Sequence, residues 1–235
     1  MPCTGYPDLI FSSGSMPNPM KGVYLVTDRP LCLGRSLTSI VAQAVRAGIA
    51  CVQLREKTAS TREFLNQALA LKPILDSAGI PLIINDRVDI ALAAGADGVH
   101  LGQTDMPYDT ARRMLGPDAI IGLSVETRKD VSAAQDLDVD YLGVSPIFAT
   151  PTKTDTGSPW GLDGLAKIRA YSRHALVAIG GLNTDNAADI IRAGADAVAV
   201  VSAICSADDP FTAALNLVHC VDSALDSPAD KETHS

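Results

Sequence analysis

Apolar and polar positions follow two alternating patterns along most of this chain. Apolar runs of four or five residues are separated by stretches in which apolar residues recur at helical spacing. Short runs without polar alternation are typical of strands buried on both faces, as in a parallel sheet. The runs that predict strands are Val23–Thr27, Cys51–Leu54, Leu82–Asn85, Gly98–Leu101, Ala119–Leu123, Tyr141–Val144, Leu176–Ile179 and Ala197–Val201.

The stretches between these runs predict amphipathic helices. An Ala-Gly pair ends the helical pattern at Gly48, Gly95 and Gly194, where glycine can adopt the left-handed conformation that terminates a helix. Asp109, Thr127 and Asn183 are suitable N-caps. The predicted helices are Leu37–Ala47, Thr61–Ser77, Asp109–Leu115, Arg128–Asp136, Leu162–Tyr171, Asn183–Arg192 and Phe211–Leu225.

The order of these elements predicts an α/β fold. Alternating strands and helices favour parallel pairing with right-handed crossovers, and eight such units fit a single (β/α)8 TIM barrel over residues 21–225. The alternative is a doubly wound open sheet, but the first strand does not lead into a Gly-rich dinucleotide loop. Residues 1–20 are expected to form a flexible extension, and the polar residues 226–235 a loose tail.

Composition excludes several classes of partner. A formal net charge of −8 argues against a nucleic-acid or acidic-membrane surface, and no apolar stretch approaches the length of a membrane span. The first twenty residues lack the basic start and apolar core of a signal peptide. Five cysteines without metal-type spacing predict reduced thiols in a cytoplasmic protein. The sequence leaves the oligomeric state open, including a homo-oligomer.

Polar residues gather where the predicted strands end, and in a TIM barrel these ends share the functional face. Gln53, Arg55 and Lys57 follow the second strand at alternate positions, so they can face one ligand. Two cations and an amide suit a phosphate or diphosphate. The alternative is a solvated charge run on the surface.

Two carboxylates follow the third and fourth predicted strands. Asp86 stands beside Asn85, and Asp105 follows Gln103. Carboxylates with nearby amides and no His-Cys set resemble a Mg²⁺ site, because Mg²⁺ prefers oxygen ligands. The alternative is that both aspartates cap turns or helices. His100 lies on the fourth strand itself, and we expect it to be packed or hydrogen-bonded rather than catalytic.

The fifth and sixth strand ends offer hydrogen-bond donors. Ser124 follows the fifth strand and is either a ligand to substrate or an ordinary turn residue. A long loop without periodicity, residues 145–161, follows the sixth strand, and loops of this length are often lids or binding loops. Thr150, Thr152 and Lys153 can donate to an anion there. A flexible insertion is the alternative.

The last two strand ends predict a second anion site. Gly180-Gly181 follows the seventh strand and Ser202 follows the eighth, where this fold often holds a phosphate on backbone amides. No Cys or Ser nucleophile has an evident base beside it. Lys57 and Lys153 could form Schiff bases, but the nearby acidic residues favour electrostatic catalysis.

These residues carry a resemblance to a known family. The segment from Tyr24 to Phe211 resembles the thiamine phosphate synthases and their relatives, the thiazole tautomerases. The matching motifs, in order, are Val52-Gln53-Leu54-Arg55-Glu56-Lys57, Ile84-Asn85-Asp86-Arg87, Gly98-Val99-His100-Leu101-Gly102-Gln103-Thr104-Asp105, Thr150-Pro151-Thr152-Lys153 and Ile179-Gly180-Gly181-Leu182.

The resemblance implies a TIM-barrel transferase of thiamine biosynthesis. The family joins 4-amino-2-methyl-5-hydroxymethylpyrimidine diphosphate to 4-methyl-5-(2-hydroxyethyl)thiazole phosphate, giving thiamine phosphate and pyrophosphate. The diphosphate leaves first, and the thiazole nitrogen attacks the resulting pyrimidine-stabilised cation. Such a reaction needs charge neutralisation and close placement of the two halves rather than acid-base chemistry.

The resemblance also implies roles for particular residues. Arg55, Lys57, Ser124 and Lys153 would be catalytic, and Asp86 and Asp105 would hold Mg²⁺. The pyrimidine diphosphate would be bound by Gln53, Arg55, Lys57, Asn85, Ser124 and Lys153, and Leu54, Glu56 and Pro151 would add further substrate contacts. The thiazole phosphate would be bound by Thr150, Thr152, Gly181, Val201 and Ser202. Glu126, where the family is expected to have His or Thr, and Ser145-Pro146, where Gly-Pro is commoner, depart from the pattern.

Three other functions remain open at this point. A thiazole tautomerase would share the barrel and the phosphate loops, but it should not need the full set of cations and both acidic residues. A binding or regulatory protein would keep the pocket without turnover. An unrelated phosphate-sugar barrel enzyme would be revealed by Schiff-base trapping on a lysine.

Overall fold

A computed structural model describes residues 20–149 and 158–227, and in it eight parallel strands form a closed barrel. Each strand pairs with the next along the chain, and the eighth pairs with the first. The predicted (β/α)8 barrel is therefore confirmed, and the open doubly wound sheet is excluded. The strands are β1 (Gly22–Val26), β2 (Cys51–Leu54), β3 (Leu82–Asn85), β4 (Gly98–Leu101), β5 (Ile120–Val125), β6 (Tyr141–Val144), β7 (Ala175–Ile179) and β8 (Ala197–Val200).

A helix follows each strand. After the first strand, a short 3-10 helix comes before the α-helix. Residues 1–19 and 228–235, most of the predicted extension and tail, lie outside the described residues. Met20 is buried, so the ordered barrel includes it. The helices are α1 (Leu37–Arg46), α2 (Thr61–Asp76), α3 (Val88–Ala94), α4 (Tyr108–Leu115), α5 (Arg128–Ala134), α6 (Gly161–Tyr171), α7 (Ala187–Arg192), α8 (Ser202–Cys205) and α9 (Pro210–Asp226).

The strands are buried on both faces, and this divides the core into two layers. In β1, Tyr24 and Val26 belong to a cluster inside the barrel, whereas Val23 and Leu25 belong to the layer between the strands and the helices. This alternation follows from the two-residue period of a strand. It explains why the strand sequences are continuously apolar rather than alternating.

Glycines inside the barrel make room for large side chains. A Cβ on Gly122 would overlap the ring of Tyr141, and a Cβ on Gly143 would lie 2.8 Å from Cε1 of His100. Tyr141 and His100 are stacked, with ring centroids 5.4 Å apart. The missing side chains on β5 and β6 therefore let two rings occupy the interior below the strand ends.

The helix ends confirm some of the predicted signals and correct others. The three Ala-Gly glycines have φ angles of 94°, 61° and 107°, as the left-handed termination requires. Thr127 is the N-cap of α5, with a capping box to Asp130. The N-caps predicted at Asp109 and Asn183 are wrong. Helix α4 starts after Pro107, and the side chain of Asn183 instead accepts from the amide of Asp185, closing a turn before α7.

Replacing Gly122 with Ala should destabilise the fold through a steric clash. The added methyl must displace the Tyr141 ring in a packed interior, which costs about 3 kcal/mol and lowers the melting temperature by several degrees. Thermal unfolding by circular dichroism measures the change. The matched control is Gly79→Ala, which adds the same methyl at a φ of +66° with no atom within 4 Å, so only backbone strain of about 1 kcal/mol is expected. Equal losses for both variants would contradict the steric account.

Candidate active site

A cavity of about 770 Å³ opens at the carboxyl ends of the strands. Its lining includes at least one residue from every strand of the barrel. The strand residues in the lining are Tyr24, Val26, Gln53, Asn85, His100, Ser124, Tyr141, Gly143, Val177, Ile179, Ala199 and Val200. In this fold the same face carries the active site of the characterised enzymes, so the cavity is the candidate active site.

The cations predicted after β2 lie at this cavity. Gln53, Arg55 and Lys57 all line it, as their alternate spacing predicts. Nζ of Lys57 lies 2.7 Å from Oδ2 of Asp86, and Nη1 of Arg55 lies 3.1 Å from Oδ2 of Asp28. Lys57 is about half exposed, whereas the Arg55 side chain is mostly buried. The alternative of a solvated charge run does not describe these residues, because both cations are paired at the mouth of the cavity.

Leu54 and Glu56 have side chains that do not line this cavity. Leu54 is fully buried in the layer between strands and helices, and Glu56 forms an ion pair of 3.2 Å with Arg29 beside a separate cavity of about 330 Å³. They alternate with Gln53, Arg55 and Lys57 along an extended segment, so they face the other way. The side chains of Leu54 and Glu56 are therefore not in the lining of the large cavity, and the substrate-binding roles predicted for them stay predictions.

Two carboxylates face each other across the ends of β3 and β4. The amide of Gly102 donates to Oδ2 of Asp105 over 2.7 Å. Burial raises the pKa of Asp105, and the neighbouring carboxyl of Asp86 raises it further. Asp86 has a φ of 61°, a left-handed conformation that few residues other than glycine adopt. The acidic pair therefore sits close enough together to repel when both groups are ionised.

The chemistry of this pair suits a hard cation. Among the described residues, no group of three or more His, Cys, Asp and Glu side chains could hold a metal ion by itself. Mg²⁺ commonly uses only one or two carboxylates and completes its ligands with substrate phosphates and water. A cation between Asp86 and Asp105 would relieve the repulsion that raises the pKa of Asp105. Arg55, Lys57, Asp86 and Asp105 are called the charged rim below.

The bottom of the cavity is a chain of hydrogen bonds between polar side chains, called the floor below. Nε2 of Gln53 donates to the Tyr24 hydroxyl over 3.0 Å, and the hydroxyls of Tyr24 and Tyr141 lie 2.8 Å apart. Nδ1 of His100 lies 3.0 Å from the Tyr141 hydroxyl. Nε2 of His100 lies 2.8 Å from Oγ of Ser124. The floor therefore connects β1, β2, β4, β5 and β6.

The structure corrects the predicted position of Ser124. It also adds Tyr24 and Tyr141 to the site. Strand β5 continues to Val125, so Ser124 lies on the strand, and both the loop position and the turn reading are wrong. His100 is hydrogen-bonded, as expected. Tyr24 and Tyr141 were not recognised as site residues, although each places a hydroxyl in an otherwise apolar strand, and this was a signal. Burial raises the pKa of both tyrosines well above the usual value, so both hydroxyls stay neutral.

The opposite side of the cavity lies after β7 and β8. Gly181, Val201 and Ser202 line it, and α8 starts at Ser202. The first amides of a helix lack partners within the helix and suit a phosphate. Gly181 and its neighbour Gly180 have φ angles of 69° and 107° and pack tightly on the residues after β6. Glycine is therefore required here for packing between loops as well as for backbone access.

The loop after β6 is described only near its ends. The amide of Trp160 donates to the carbonyl of Pro146, and that of Gly161 to the carbonyl of Ile147, both over 2.9 Å. These bonds hold the two ends of the loop together beside the cavity. Thr150, Pro151, Thr152 and Lys153 lie outside the described residues, so the roles predicted for them stay predictions.

Comparison with protein families identifies the chain's relatives. The model of the thiamine monophosphate synthase family matches residues 23–204. A thiamine-phosphate synthase of Albidiferax ferrireducens is 59% identical over 201 residues, covering 86% of this chain and 92% of the relative. A thiamine-phosphate synthase of Leptospira biflexa is 54% identical over 206 residues, covering 86% of this chain and 98% of the relative.

Solved structures give the same family and a wider fold group. A thiamine phosphate pyrophosphorylase from Pyrococcus furiosus superposes with a TM-score of 0.80 at 36% identity, covering 88% of this chain and 98% of that one. A 3-hexulose-6-phosphate synthase superposes with a TM-score of 0.61 at 15% identity, covering 85% of this chain and 99% of that one. At that identity the second likeness shows the barrel fold alone.

The raised pKa of Asp105 predicts a pH-dependent effect of Asp105→Asn in the presence of a chelator. The folded protein holds this proton more tightly than the unfolded chain, so ionising Asp105 disfavours folding. The free-energy cost of ionising Asp105 in the folded protein is absent at pH values below the pKa of this group in the unfolded chain. It is complete at pH values above the raised pKa of Asp105 in the folded protein. The melting temperature of the variant, relative to the parent, should therefore be higher at about pH 7.5 than at about pH 4.

Asp89→Asn is the matched control with the opposite sign. A hydrogen bond from Arg87 lowers the pKa of Asp89, so its ionisation favours folding. The relative melting temperature of this variant should therefore fall as the pH rises over the same range. Parallel trends in the two variants would contradict the repulsion assigned to the acidic pair.

Proposed function

The chain belongs to the thiamine monophosphate synthase family, and we propose that its cavity at the strand ends is the active site for the family's reaction. This is the union of 4-amino-2-methyl-5-hydroxymethylpyrimidine diphosphate with 4-methyl-5-(2-hydroxyethyl)thiazole phosphate, giving thiamine phosphate and pyrophosphate. The enzyme is thus a transferase of thiamine biosynthesis. One observation carries the proposal: a single cavity combines a charged rim, a hydrogen-bonded floor and a set of backbone donors.

The charged rim is proposed to bind the diphosphate. Asp86 and Asp105 would hold Mg²⁺, which when bound supplies positive charge next to the departing phosphate oxygens. Arg55 and Lys57 donate charge-assisted hydrogen bonds to the same anion, and Lys57 is already held at the acidic pair by Asp86. Charge that develops on the leaving group is therefore neutralised by groups placed in advance. Lys153 is proposed to add a further cation.

The floor is proposed to hold the pyrimidine. Gln53 and Ser124 belong to the floor, and Asn85 also lines the cavity, so amide and hydroxyl groups are available to the ring. Because burial keeps Tyr24 and Tyr141 protonated, the floor presents no phenolate that could capture the pyrimidine cation. The floor therefore orients the ring while leaving the thiazole nitrogen as the available nucleophile.

The thiazole phosphate is proposed to bind across the cavity, at Gly181, Val201 and Ser202. Backbone amides at the start of α8 can hold its phosphate, and Thr150, Pro151 and Thr152 would complete the site. Placing the two anionic groups at opposite sides of one cavity directs the reacting carbon and nitrogen toward each other between them. Such placement alone can contribute several kcal/mol to a two-substrate reaction.

The synthase is favoured over the other functions by the rim. A thiazole tautomerase has no diphosphate to neutralise. Its reaction would therefore not explain why two cations and two carboxylates meet at the mouth of a single cavity. The two relatives described above, at 59% and 54% identity, are thiamine-phosphate synthases. A binding protein with the same site would be distinguished by the absence of turnover.

We also propose a cytoplasmic location. No described helix has the length and apolar character that crossing a membrane requires. The four cysteines among the described residues are free thiols, as is usual in a reducing compartment.

Turnover should require the acidic pair and a divalent cation. With both substrates and Mg²⁺, the purified protein should release pyrophosphate and form thiamine phosphate. Asp86→Asn removes a charged ligand but keeps a residue type that tolerates the left-handed backbone at this position, so we expect a loss of about 100-fold in rate without unfolding. A chelator should have a comparable effect. Coupled pyrophosphate detection and separation of thiamine phosphate measure the rates.

Asp89→Asn provides the matched control for this assay. Asp89 pairs with Arg87 over 2.6 Å and its side chain is more than half exposed, outside the cavity lining. The same charge is removed only a few residues away, so this variant should keep the parent's rate. Turnover that survives both the chelator and Asp86→Asn would refute the metal site.

A further inference from the structure

The parallel pairing of β1 and β2 continues past the ends of both strands. In the last ladder position Val26 stands beside Gln53. Beyond it, the amide of Thr27 donates to the carbonyl of Gln53 over 2.9 Å, and the amide of Arg55 donates to Oγ1 of Thr27 over 3.1 Å. Thr27 is fully buried. The first loop residues after β1 and β2 are therefore held side by side by these two hydrogen bonds.

This register brings four charges into two neighbouring ion pairs of opposite polarity. Nη1 of Arg55 lies 3.1 Å from Oδ2 of Asp28, and Nη2 of Arg29 lies 3.2 Å from Oε2 of Glu56. The side chains of Asp28 and Glu56 are only 16% and 4% exposed. In the Arg55–Asp28 pair the cation is also mostly buried, at 22% exposure, whereas Arg29 is 40% exposed. The Arg55–Asp28 pair is therefore more restrained and less screened than an exposed surface pair.

Asp28 is itself anchored before it reaches Arg55. Its Oδ1 accepts a hydrogen bond of 3.3 Å from the amide of Leu31, which leaves Oδ2 for the guanidinium. A second anchor comes from its carbonyl, which accepts from Sγ of Cys32 over 3.4 Å. The carboxylate is thus fixed by the turn after β1, and it presents one oxygen to one nitrogen of Arg55.

We propose that Asp28 is a positioning residue for Arg55, and that it holds the guanidinium in advance of diphosphate binding. The inference rests on the proposed function, in which Arg55 binds the diphosphate. A guanidinium has five N–H donors, so the bond to Asp28 leaves others for the anion. A long side chain that is already ordered loses less conformational entropy when the ligand binds.

The Arg29–Glu56 pair supports the same loop from outside the cavity. Oε1 of Glu56 is buried and accepts no hydrogen bond from the described residues, so this carboxylate depends on Arg29 alone. Its burial raises the pKa of Glu56. Glu56 thus acts on the loop that carries Arg55 and not on the ligand, which accounts for its place in the sequence motif although its side chain faces away from the cavity.

A double-mutant cycle on the full-length protein tests the proposal. Calorimetric titration with inorganic pyrophosphate and Mg²⁺ gives the dissociation constant for the parent, Asp28→Ala, Arg55→Ala and the double variant. Asp28→Ala should weaken binding about tenfold, the scale of one charge-assisted hydrogen bond. In the Arg55→Ala background it should have no further effect. The KM for the pyrimidine diphosphate should rise in parallel, and Asp28→Asn, which keeps an acceptor oxygen, should recover part of the loss.

The control is an ion pair of the same kind at the other end of the barrel. Asp196 precedes β8 and pairs with Arg169 over 3.0 Å. Asp196→Ala should lower the melting temperature but leave the pyrophosphate dissociation constant unchanged. A general loss of stability therefore cannot imitate the expected result for Asp28.

The remaining outcomes distinguish a failure of the positioning role of Asp28 from a failure of the proposed role of Arg55 in diphosphate binding. Unchanged or tighter pyrophosphate binding in Asp28→Ala, or weaker binding that persists in the Arg55→Ala background, would overturn the positioning role while leaving the role of Arg55 intact. Unchanged binding in Arg55→Ala would instead refute the proposed role of Arg55 in diphosphate binding, and the positioning of Arg55 with it.

Discussion

The closed ladder of parallel hydrogen bonds is the constraint on which the other features depend. All eight strands point the same way, so their carboxyl ends meet at one mouth whatever their distance in sequence. Closure also fixes which residues face the interior, because neighbouring strands cannot slip without breaking pairs on both sides. Lys57 meets Asp86 and Arg55 meets Asp28 for this reason, and neither contact is encoded by local sequence.

The site is divided by charge along the axis of the barrel. Ionised groups lie at the mouth, where Arg55, Lys57 and the acidic pair form the charged rim. The interior below is packed with hydrogen-bonded groups, among them two tyrosines whose raised pKa keeps them neutral. A reaction that expels a diphosphate and passes through a cation benefits from this division. The anion departs toward the charges, and the carbon remains where no ionised nucleophile is present.

The sequence predicted the elements well because each is specified by its own residues. Strands β2, β3, β4 and β6 have the predicted bounds, since apolar runs end abruptly at polar or glycine residues. The N-cap at Thr127 was recognisable because the capping box lies within four residues. Asn183 failed as an N-cap because an Asx turn and a cap share the same local signal.

Features of the site that depend on contacts between distant residues were harder to predict from the sequence. Gln53, Arg55 and Lys57 were found because alternation is a one-dimensional pattern. Tyr24 and Tyr141 were missed because their hydroxyls enter the site through contacts between distant parts of the chain. They bond to each other, 117 residues apart, and to Gln53 and His100. The position of the Glu56 side chain away from the cavity was also missed, because it depends on a tertiary contact, the ion pair with Arg29.

A crystal structure with pyrophosphate and Mn²⁺, used as an anomalous substitute for Mg²⁺, tests the central claim most directly. The claim is that the charged rim receives the diphosphate on a metal held by the acidic pair. The anomalous peak should lie between Asp86 and Asp105, with the pyrophosphate bound to the metal and within hydrogen-bond distance of Arg55 and Lys57. A metal that binds elsewhere, or a pyrophosphate that leaves these four side chains without contact, would contradict it.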